Sequence, residues 1–269
     1  MRPAPRSSAR LRLFCLPYAG GGTVSYRSWA QNLSPDIELC LVQLPGREAR
    51  MRETPYTDLG ALVSDLTEEL DPLLDLPYAL FGHSMGAVIA FALTGHLRTV
   101  GLPMPRQLFV SGRRAPQIPD RDAPLHTLPD AAFVAALVHR YNAIPQVLLQ
   151  DADLLRLFLP TLRADFTMIE TYPYVDAPPL DCAITAFGGW EDGRATQADL
   201  SAWRDQTRGD FTLRMFPGGH FFIQTCQEAL VAAIGESLVR HTDPVAPSVS
   251  AHRLGVRSAG AVANTRGID

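Results

Sequence analysis

The sequence predicts an α/β fold in which a mostly parallel central sheet carries helices on both faces. Short apolar runs alternate along the chain with longer segments of helical periodicity, as expected for βαβ units. Several of the short runs are apolar almost throughout, which is typical of parallel strands that are covered on both faces. The chain has 269 residues, of which 46% are hydrophobic and 19% charged. This balance supports one large domain with a sizeable core and argues against global disorder.

The apolar runs predict six strands in chain order: residues 11–16, 37–44, 78–81, 107–111, 183–187 and 211–216. Helical patterns lie between and after them, at residues 25–33, 57–74, 85–99, 196–206 and 222–240. Gly or Pro stands at most of the junctions, where these residues end regular elements. The domain is therefore predicted to cover residues 11–242, after a flexible N-terminus at 1–10.

Two regions depart from this alternation. Residues 119–179 show helical patterns without strands, at 130–139, 153–162 and 164–171. An insertion of this size between two strands predicts a helical lid over the sheet edge, although a set of packing helices without a gating role would give the same pattern. The tail at 243–269 is rich in small residues and has no aromatic residue, so we expect it to be disordered.

Charge and residue counts exclude several classes of function. The net charge of −4 gives no electrostatic footprint for nucleic acid, and no apolar run approaches the roughly 18–20 residues that span a bilayer. The N-terminus carries no signal-peptide pattern, so we expect a soluble, cytoplasmic protein without membrane partners. The four cysteines are far apart and the seven histidines form no metal-binding pattern, which predicts structural thiols and no metal site.

The strongest motif is Gly-His-Ser-Met-Gly at residues 82–86. It matches G-x-S-x-G, and it stands between a predicted strand and a small-residue helix, as in a nucleophile elbow. A serine on such a sharp turn has a strained backbone, and side chains two residues to either side would collide with it. The helix N-terminus also favours a developing oxyanion. Ser84 is therefore the candidate nucleophile.

A base is expected in Phe-Pro-Gly-Gly-His-Phe-Phe at residues 216–222, which follows the last predicted strand. His220 in this segment would lie at the carboxyl edge of the sheet, the same edge as Ser84. The other six histidines occupy the elbow, helices, the insertion or the tail. We expect each of them to be solvated or structurally bonded, with His83 pointing away from the site.

The carboxylate that orients the histidine should follow the strand at 183–187, in the loop Gly-Gly-Trp-Glu-Asp-Gly at 188–193. Asp192 is the first candidate. Glu191 remains open, since adjacent loop residues point in different directions. Asp199 and Asp205 fall in the next predicted helix and are expected to be solvated. The loop after the strand at 107–111 carries no acid.

An oxyanion hole would complete this site. The backbone N–H of Met85, the residue after the nucleophile, is one predicted donor. The second should come from the glycine-rich loop at 16–22, where Ala19 is the candidate. That loop matches no phosphate-binding motif of the G-x-G-x-x-G or G-K-[ST] type. Tyr18 and Phe221 are predicted to line the substrate mouth.

Six segments in register resemble a known family: LFCLPYAGGG, LPGREAR, FGHSMGA, SGRRAP, FGGWED and FPGGHFF, beginning at residues 13, 44, 81, 111, 187 and 216. They are similar to the type II (editing) thioesterases of polyketide synthase and non-ribosomal peptide synthetase systems, a branch of the α/β-hydrolases. The resemblance implies hydrolysis of acyl or peptidyl groups from the phosphopantetheine arm of acyl or peptidyl carrier proteins, in antibiotic biosynthesis. It implies no cofactor of the enzyme itself, acyl-CoA as a surrogate substrate, and a helical lid.

Two features depart from the family pattern. Gly193 stands where the family often has proline, and the tail is longer than the family requires. Four loop arginines, Arg47, Arg50, Arg113 and Arg114, have two possible roles, either receiving an acidic carrier or its phosphate, or making structural bonds. We expect aromatic residues of the insertion, namely Phe133, Tyr141 and Phe166, to influence which acyl chain is accepted.

Three other functions remain open at this level. A carboxylesterase or lipase-like hydrolase of small esters would use the same three residues. A binding protein with a degenerate hydrolase fold would have no need of all three. An acyltransferase or cyclising release domain is a further alternative, but the chain shows no carrier or condensation segment, which favours a stand-alone hydrolase acting in trans.

Overall fold

A parallel sheet of six strands organises the computed structural model, which describes residues 1–141 and 149–240. The strands are β1 (Leu11–Leu16), β2 (Ile37–Leu41), β3 (Tyr78–His83), β4 (Gln107–Ser111), β5 (Ala183–Gly189) and β6 (Phe211–Phe216). Their order in the sheet is β2-β1-β3-β4-β5-β6, with every neighbouring pair parallel. The direction of winding reverses at β1, which lies between β2 and β3. Ligands of such sheets bind beyond the carboxyl ends of the strands at this reversal.

The described helices are α1 (Leu59–Leu70), α2 (Met85–Val100), α3 (Asp130–Tyr141), α4 (Ala152–Thr171), α5 (Gln197–Ser201), α6 (Phe222–Thr225) and α7 (Gln227–Arg240). Apolar cores lie on both faces of the sheet. Alternate residues of β1 point to opposite faces, so that Phe14 packs with α1 and α2 while Leu13 packs with α7. The predicted α/β architecture with helices on both faces is confirmed.

Three strands end at residues other than those predicted, and in two of them pairing with a neighbouring strand determines the end. β2 ends at Leu41 instead of residue 44, just ahead of a turn at Pro45. β3 continues to His83 because Gly82 and His83 pair with Val110 and Ser111 of β4. β5 likewise continues through Gly188 and Gly189, which pair with β6. The carboxyl ends of β3 and β5 thereby run directly into the motif loops.

Several predicted helices have a different form. The segment Thr23–Gln31 is a 3₁₀-helix, and α5 continues as a 3₁₀ turn at Ala202–Gln206. The last predicted helix is interrupted at Cys226, which separates α6 from α7. The two helices predicted at 153–162 and 164–171 are one helix, α4, with Pro160 inside it.

The chain termini were predicted to be flexible. Residues 1–10 have no regular element, yet the Arg6 guanidinium donates hydrogen bonds to carbonyl oxygens of Ala30, Ser34 and Ile37. The flexibility of this segment stays a prediction. The tail at 243–269 lies outside the described residues. Within 1–141 and 149–240, no helix is long and apolar enough to cross a membrane.

The buried thiols behave as small apolar groups. Cys15, Cys40 and Cys182 are buried and free. Burial raises the pKa of the Cys40 thiol to about 12 and that of Cys182 to about 11, so both remain protonated at neutral pH. This agrees with the predicted structural role.

Candidate active site

Ser84 occupies the sharp turn between β3 and α2. Its backbone has φ 53° and ψ −112°, in the left-handed half of conformational space that residues other than glycine rarely adopt. Both motif glycines are required by close backbone contacts. A Cβ atom on Gly82 would lie 2.0 Å from the carbonyl oxygen of Gly86, and one on Gly86 would lie 2.4 Å from that of Leu16. The turn therefore tolerates only hydrogen at these two positions.

His220 lies on the loop between β6 and α6 and contacts Asp192. The distance between His220 Nδ1 and Asp192 Oδ2 is 2.8 Å, and both side chains are buried. Asp192 Oδ1 accepts a second hydrogen bond from the Arg194 N–H. The neighbouring Glu191 is exposed to solvent. Of the two candidate carboxylates, the structure thus brings Asp192 to the histidine.

Glycines also bring the histidine and aspartate loops together. A Cβ atom on Gly189, at the end of β5, would lie 2.3 Å from the carbonyl oxygen of Gly218. The N–H of Glu191 donates to the same Gly218 oxygen. This backbone contact fixes the separation of the two loops at the value that the His220–Asp192 hydrogen bond needs.

Ser84 and His220 line one cavity of about 630 Å³ at the carboxyl edge of the sheet. Tyr18, Ala19 and Phe221 line it as well. Side chains of α3 and α4 also line it, namely Leu137, Tyr141, Leu155, Phe158, Leu162 and Phe166. The predicted insertion thus lies over the site, and its opening and closing as a lid stays a prediction. Phe133 lies behind these side chains, with its ring centroid 5.7 Å from that of Phe166.

The candidate oxyanion donors come from two different elements. Met85 is the first residue of α2, where an N–H has no carbonyl partner in its own helix. Ala19 belongs to the loop after β1, whose shape is held by a hydrogen bond from the Gly21 N–H to the Tyr18 carbonyl. The next N–H in this loop, that of Gly20, donates to Asp165 Oδ2 of α4 at 2.8 Å.

His83 is buried beside the candidate base. It is fully buried, its Nδ1 lies 2.9 Å from Ser111 Oγ, and its ring centroid is 4.9 Å from that of His220. Burial, followed by the proximity of His220, holds the pKa of His83 well below its usual value. His83 is not among the residues that line the cavity, and the prediction that it is structurally bonded is confirmed by its contact with Ser111. What the sequence did not predict is that its neutral imidazole packs against the candidate base.

Asp165 was missed by the sequence analysis. Its carboxylate is buried and receives two hydrogen bonds from Arg47, at 2.7 and 3.1 Å, besides that from Gly20. The available signal was an acid among the apolar residues of α4. Of the four loop arginines, Arg47 and Arg114 are buried in structural contacts and Arg50 pairs with Glu53.

Three further side chains differ in their exposure to solvent. Asp199 is buried, caps α5 together with Thr196 and pairs with Arg121, so the expectation that it is solvated is wrong. Asp205 is exposed, as expected. Trp190, between β5 and Asp192, is 61% exposed. The part of the chain that the structure describes contains no cluster of side chains suited to a metal ion.

Comparison with known proteins identifies the family. Residues 11–238 match the family model of the thioesterase domain. The gramicidin S biosynthesis protein GrsT of Aneurinibacillus migulanus is 46% identical over 217 residues, which cover 81% of this chain and 84% of that protein.

Solved structures agree with this match. The RedJ thioesterase from the prodiginine biosynthetic pathway of Streptomyces coelicolor superposes with a TM-score of 0.81 at 39% identity, covering 88% of this chain and 94% of RedJ. The type II thioesterase BorB from the borrelidin biosynthetic cluster gives a TM-score of 0.80 at 36% identity, covering 88% and 96%. The chain belongs to the thioesterase family, in its type II branch with the α/β-hydrolase fold, and is a hydrolase of thioesters.

Proposed function

We propose that this chain releases acyl groups from the phosphopantetheine thioester of carrier proteins, using Ser84, His220 and Asp192 as a catalytic triad. The observation that carries the proposal is the cavity shared by Ser84 and His220, with His220 Nδ1 2.8 Å from Asp192 Oδ2. A buried carboxylate at this distance holds the imidazole in the tautomer whose Nε2 can accept a proton.

In the first half of the reaction, Ser84 Oγ attacks the thioester carbonyl carbon while His220 Nε2 takes the hydroxyl proton. The C–S bond then breaks, and the proton on His220 passes to the departing sulfur. An acyl ester on Ser84 remains. In the second half, His220 takes a proton from water and the hydroxide attacks the ester carbonyl carbon. The bond from this carbon to Ser84 Oγ then breaks, the proton on His220 passes to Ser84 Oγ, and the carboxylic acid leaves. Asp192 stabilises the imidazolium in both halves.

The tetrahedral intermediates carry a negative oxygen, which the N–H groups of Met85 and Ala19 would bind. A single donor of this kind contributes about 3–4 kcal/mol in related hydrolases. Tyr18 and Phe221 would contact the entering thioester from one side, because both line the cavity and their rings pack edge to face with centroids 5.2 Å apart. The enzyme itself needs no cofactor in this scheme, since the phosphopantetheine belongs to the substrate.

The carrier-protein substrate is supported by the relatives. GrsT is named for gramicidin S biosynthesis, RedJ for the prodiginine pathway and YbtT for the yersiniabactin pathway of non-ribosomal peptide and polyketide synthesis. Proteins of such assembly lines hold their intermediates on acyl or peptidyl carrier domains. We therefore assign this chain an editing role on acyl or peptidyl carriers, with acyl-CoA as a surrogate substrate.

The test is steady-state hydrolysis of one acyl group presented on a phosphopantetheinylated carrier protein, on coenzyme A and on p-nitrophenol. We expect the highest kcat/KM on the carrier. Ser84→Ala should lower turnover by a factor on the order of 10⁶ while leaving the thermal midpoint unchanged. Substantial activity of Ser84→Ala would refute the triad. Faster hydrolysis of the oxyester, without a response to the carrier, would instead identify a general esterase.

A further inference from the structure

Helix α4 contacts two loops, the one after β1 that carries Ala19 and the one after β2 that carries Gly46 and Arg47. Thr161 Oγ1 donates to the carbonyl oxygen of Gly46 at 2.7 Å. Four residues later, Asp165 accepts the N–H of Gly20 and the guanidinium of Arg47. Gly20, Arg47 and Asp165 form what we call the Asp165 cluster. It joins three segments that are far apart in sequence, and Asp165 is its shared acceptor.

The Asp165 cluster determines the shape of the loop that carries Ala19. Gly20 has φ +71°, a conformation in which an L side chain is strained, and a Cβ there would lie 2.5 Å from Leu162 Cδ2 of α4. Arg47 also donates to the carbonyl oxygen of Gly21 at 3.0 Å. The two residues that follow Ala19 are therefore each held by a buried partner, one through its N–H and the other through its carbonyl oxygen.

We infer that Asp165, held by Arg47, is a positioning residue that fixes the Ala19 N–H in the oxyanion hole by accepting the Gly20 N–H. This inference rests on the proposed function, in which Ala19 is a donor. A displacement of about 1 Å in a group that binds the transition state can cost 10²-fold in rate. Gly20 directly follows Ala19. A change at Asp165 that moves the Gly20 N–H therefore also moves the neighbouring Ala19 N–H.

Arg47 has a separate part in this arrangement. The side chains of Asp165 and Arg47 are 2% and 5% exposed, so neither charge is solvated. Burial raises the pKa of Asp165, while the charge and hydrogen bonds of Arg47 and the Gly20 N–H oppose that rise. Removal of one partner alone would leave an unpaired buried charge and could unfold the protein. The test therefore changes both partners together.

Two double variants separate the Gly20 acceptor from the ion pair. Arg47→Met with Asp165→Asn removes both charges and keeps a side-chain oxygen that can accept the Gly20 N–H. Arg47→Met with Asp165→Leu removes the charges and the acceptor at similar volume. On an acyl-pantetheine thioester, we expect the Asn variant to keep kcat within about threefold of the wild type. The Leu variant should lose about 10- to 100-fold in kcat with KM within about threefold.

A second readout reports the oxyanion itself. An alkyl trifluoromethyl ketone forms a tetrahedral adduct with an active serine, whereas the alkyl carboxylic acid product binds without one. The inhibition constant of the ketone should rise in the Leu variant by the same factor as kcat falls, with binding of the acid unchanged. Arg12→Met with Glu38→Leu is the matched control, because it removes another buried ion pair, which joins β1 and β2 near their amino ends, at the opposite edge of the sheet from Ser84. It should lower stability without changing kcat.

Three results would reject the positioning role of Asp165. If the Leu and Asn variants lose kcat equally, or if the ketone is bound by the Leu variant as tightly as by the wild type, Asp165 does not position the oxyanion donor. If the Arg12 and Glu38 control loses as much kcat as the Leu variant, the loss in the Leu variant reflects reduced stability and not the position of the oxyanion donor. These results all presuppose an active wild type and an inactive Ser84→Ala, and failure of that pair would reject the proposed function instead.

Discussion

Adjacent carboxylates on the loop after β5 have opposite environments. Asp192 is buried against His220 and Glu191 is exposed, so only one of them can stabilise the imidazolium. We predict that Asp192→Asn lowers kcat by about 10³- to 10⁴-fold, because an amide at this position favours the wrong tautomer. Glu191→Gln is the matched neighbour and should keep kcat within about twofold. Steady-state kinetics on an acyl-pantetheine thioester decide between them, and the reverse order of effects would reassign the third triad residue.

His83 makes stability depend on pH. Its pKa in the folded protein lies well below 6.5, mainly because of burial, whereas in the unfolded chain it is near 6.5. Below pH 6.5 the unfolded state therefore binds more protons at this site, and folding stability falls as the pH is lowered towards the folded pKa. One such proton contributes a slope of at most about 1.4 kcal/mol per pH unit.

Urea unfolding at several pH values between 5 and 7 measures this slope. We expect His83→Gln to have a shallower dependence than the wild type, since glutamine does not titrate. His139→Gln, which removes an exposed histidine of α3, should leave the dependence unchanged. Parallel curves for the wild type and His83→Gln would show that His83 is not held neutral.

At the scale of one element, two glycines of α2 have opposite requirements. A Cβ on Gly86 would collide with the backbone of β1 at 2.4 Å, whereas one on Gly95 would meet no atom within 4 Å. We predict that Gly95→Ala stabilises the protein by about 0.5–1 kcal/mol through helix propensity. Gly86→Ala should destabilise it by more than about 2 kcal/mol and abolish activity, because the elbow must open. Denaturant unfolding of both variants tests this contrast, which equal effects would contradict.

Element boundaries show what the sequence could and could not predict. The strands were recognisable as apolar runs, and the elbow by its two glycines. The ends of β3 and β5 were not recognisable in the sequence. Each strand is extended only by pairing with its neighbour in the sheet, through Gly82 and His83 in β3 and through Gly188 and Gly189 in β5. Local chemistry was also overlooked. Thr196 and Asp199 form a capping box, a spacing that is visible in the sequence and explains why Asp199 is buried.

At the scale of the whole molecule, the site is an apolar cavity beside a polar triad. No lysine, arginine, aspartate or glutamate is among its lining residues, within the described ranges 1–141 and 149–240. We predict that kcat/KM rises about fourfold for each methylene added to a straight acyl chain, until the cavity is filled. A malonyl thioester should be a poor substrate, since its carboxylate would be buried without a partner.

A pair of variants in α4 tests this prediction. Phe158 lines the cavity, while Leu154 on the same helix does not and is 38% exposed. Phe158→Asp should reduce the preference for long chains, and Leu154→Asp should leave it unchanged. Competition between octanoyl and acetyl pantetheine measures the preference. A chain-length profile that is unaffected by Phe158→Asp would place the acyl group elsewhere.

The assembly of the site from distant segments sets the limit of sequence reasoning for this protein. Ser84, His220 and Asp192 each follow a recognisable strand, so parallel topology alone brings them to one edge. The hydrogen bond between Gly20 and Asp165 instead spans 145 residues and depends on how α4 lies across that edge. An acid among the apolar residues of α4 marks Asp165 as unusual, but no local pattern identifies Gly20 and Arg47 as its partners, which are visible only in the folded chain.

The unequal burial of the tryptophans provides a spectroscopic reporter. The chain has three, and Trp29 and Trp203 are fully enclosed while Trp190 is exposed two residues before Asp192. A collisional quencher such as iodide would therefore extinguish mainly the red-shifted emission of Trp190. A macromolecule that covers the loop after β5 would shield this indole from the quencher. Fluorescence titration of the unlabelled enzyme can thus register docking apart from turnover.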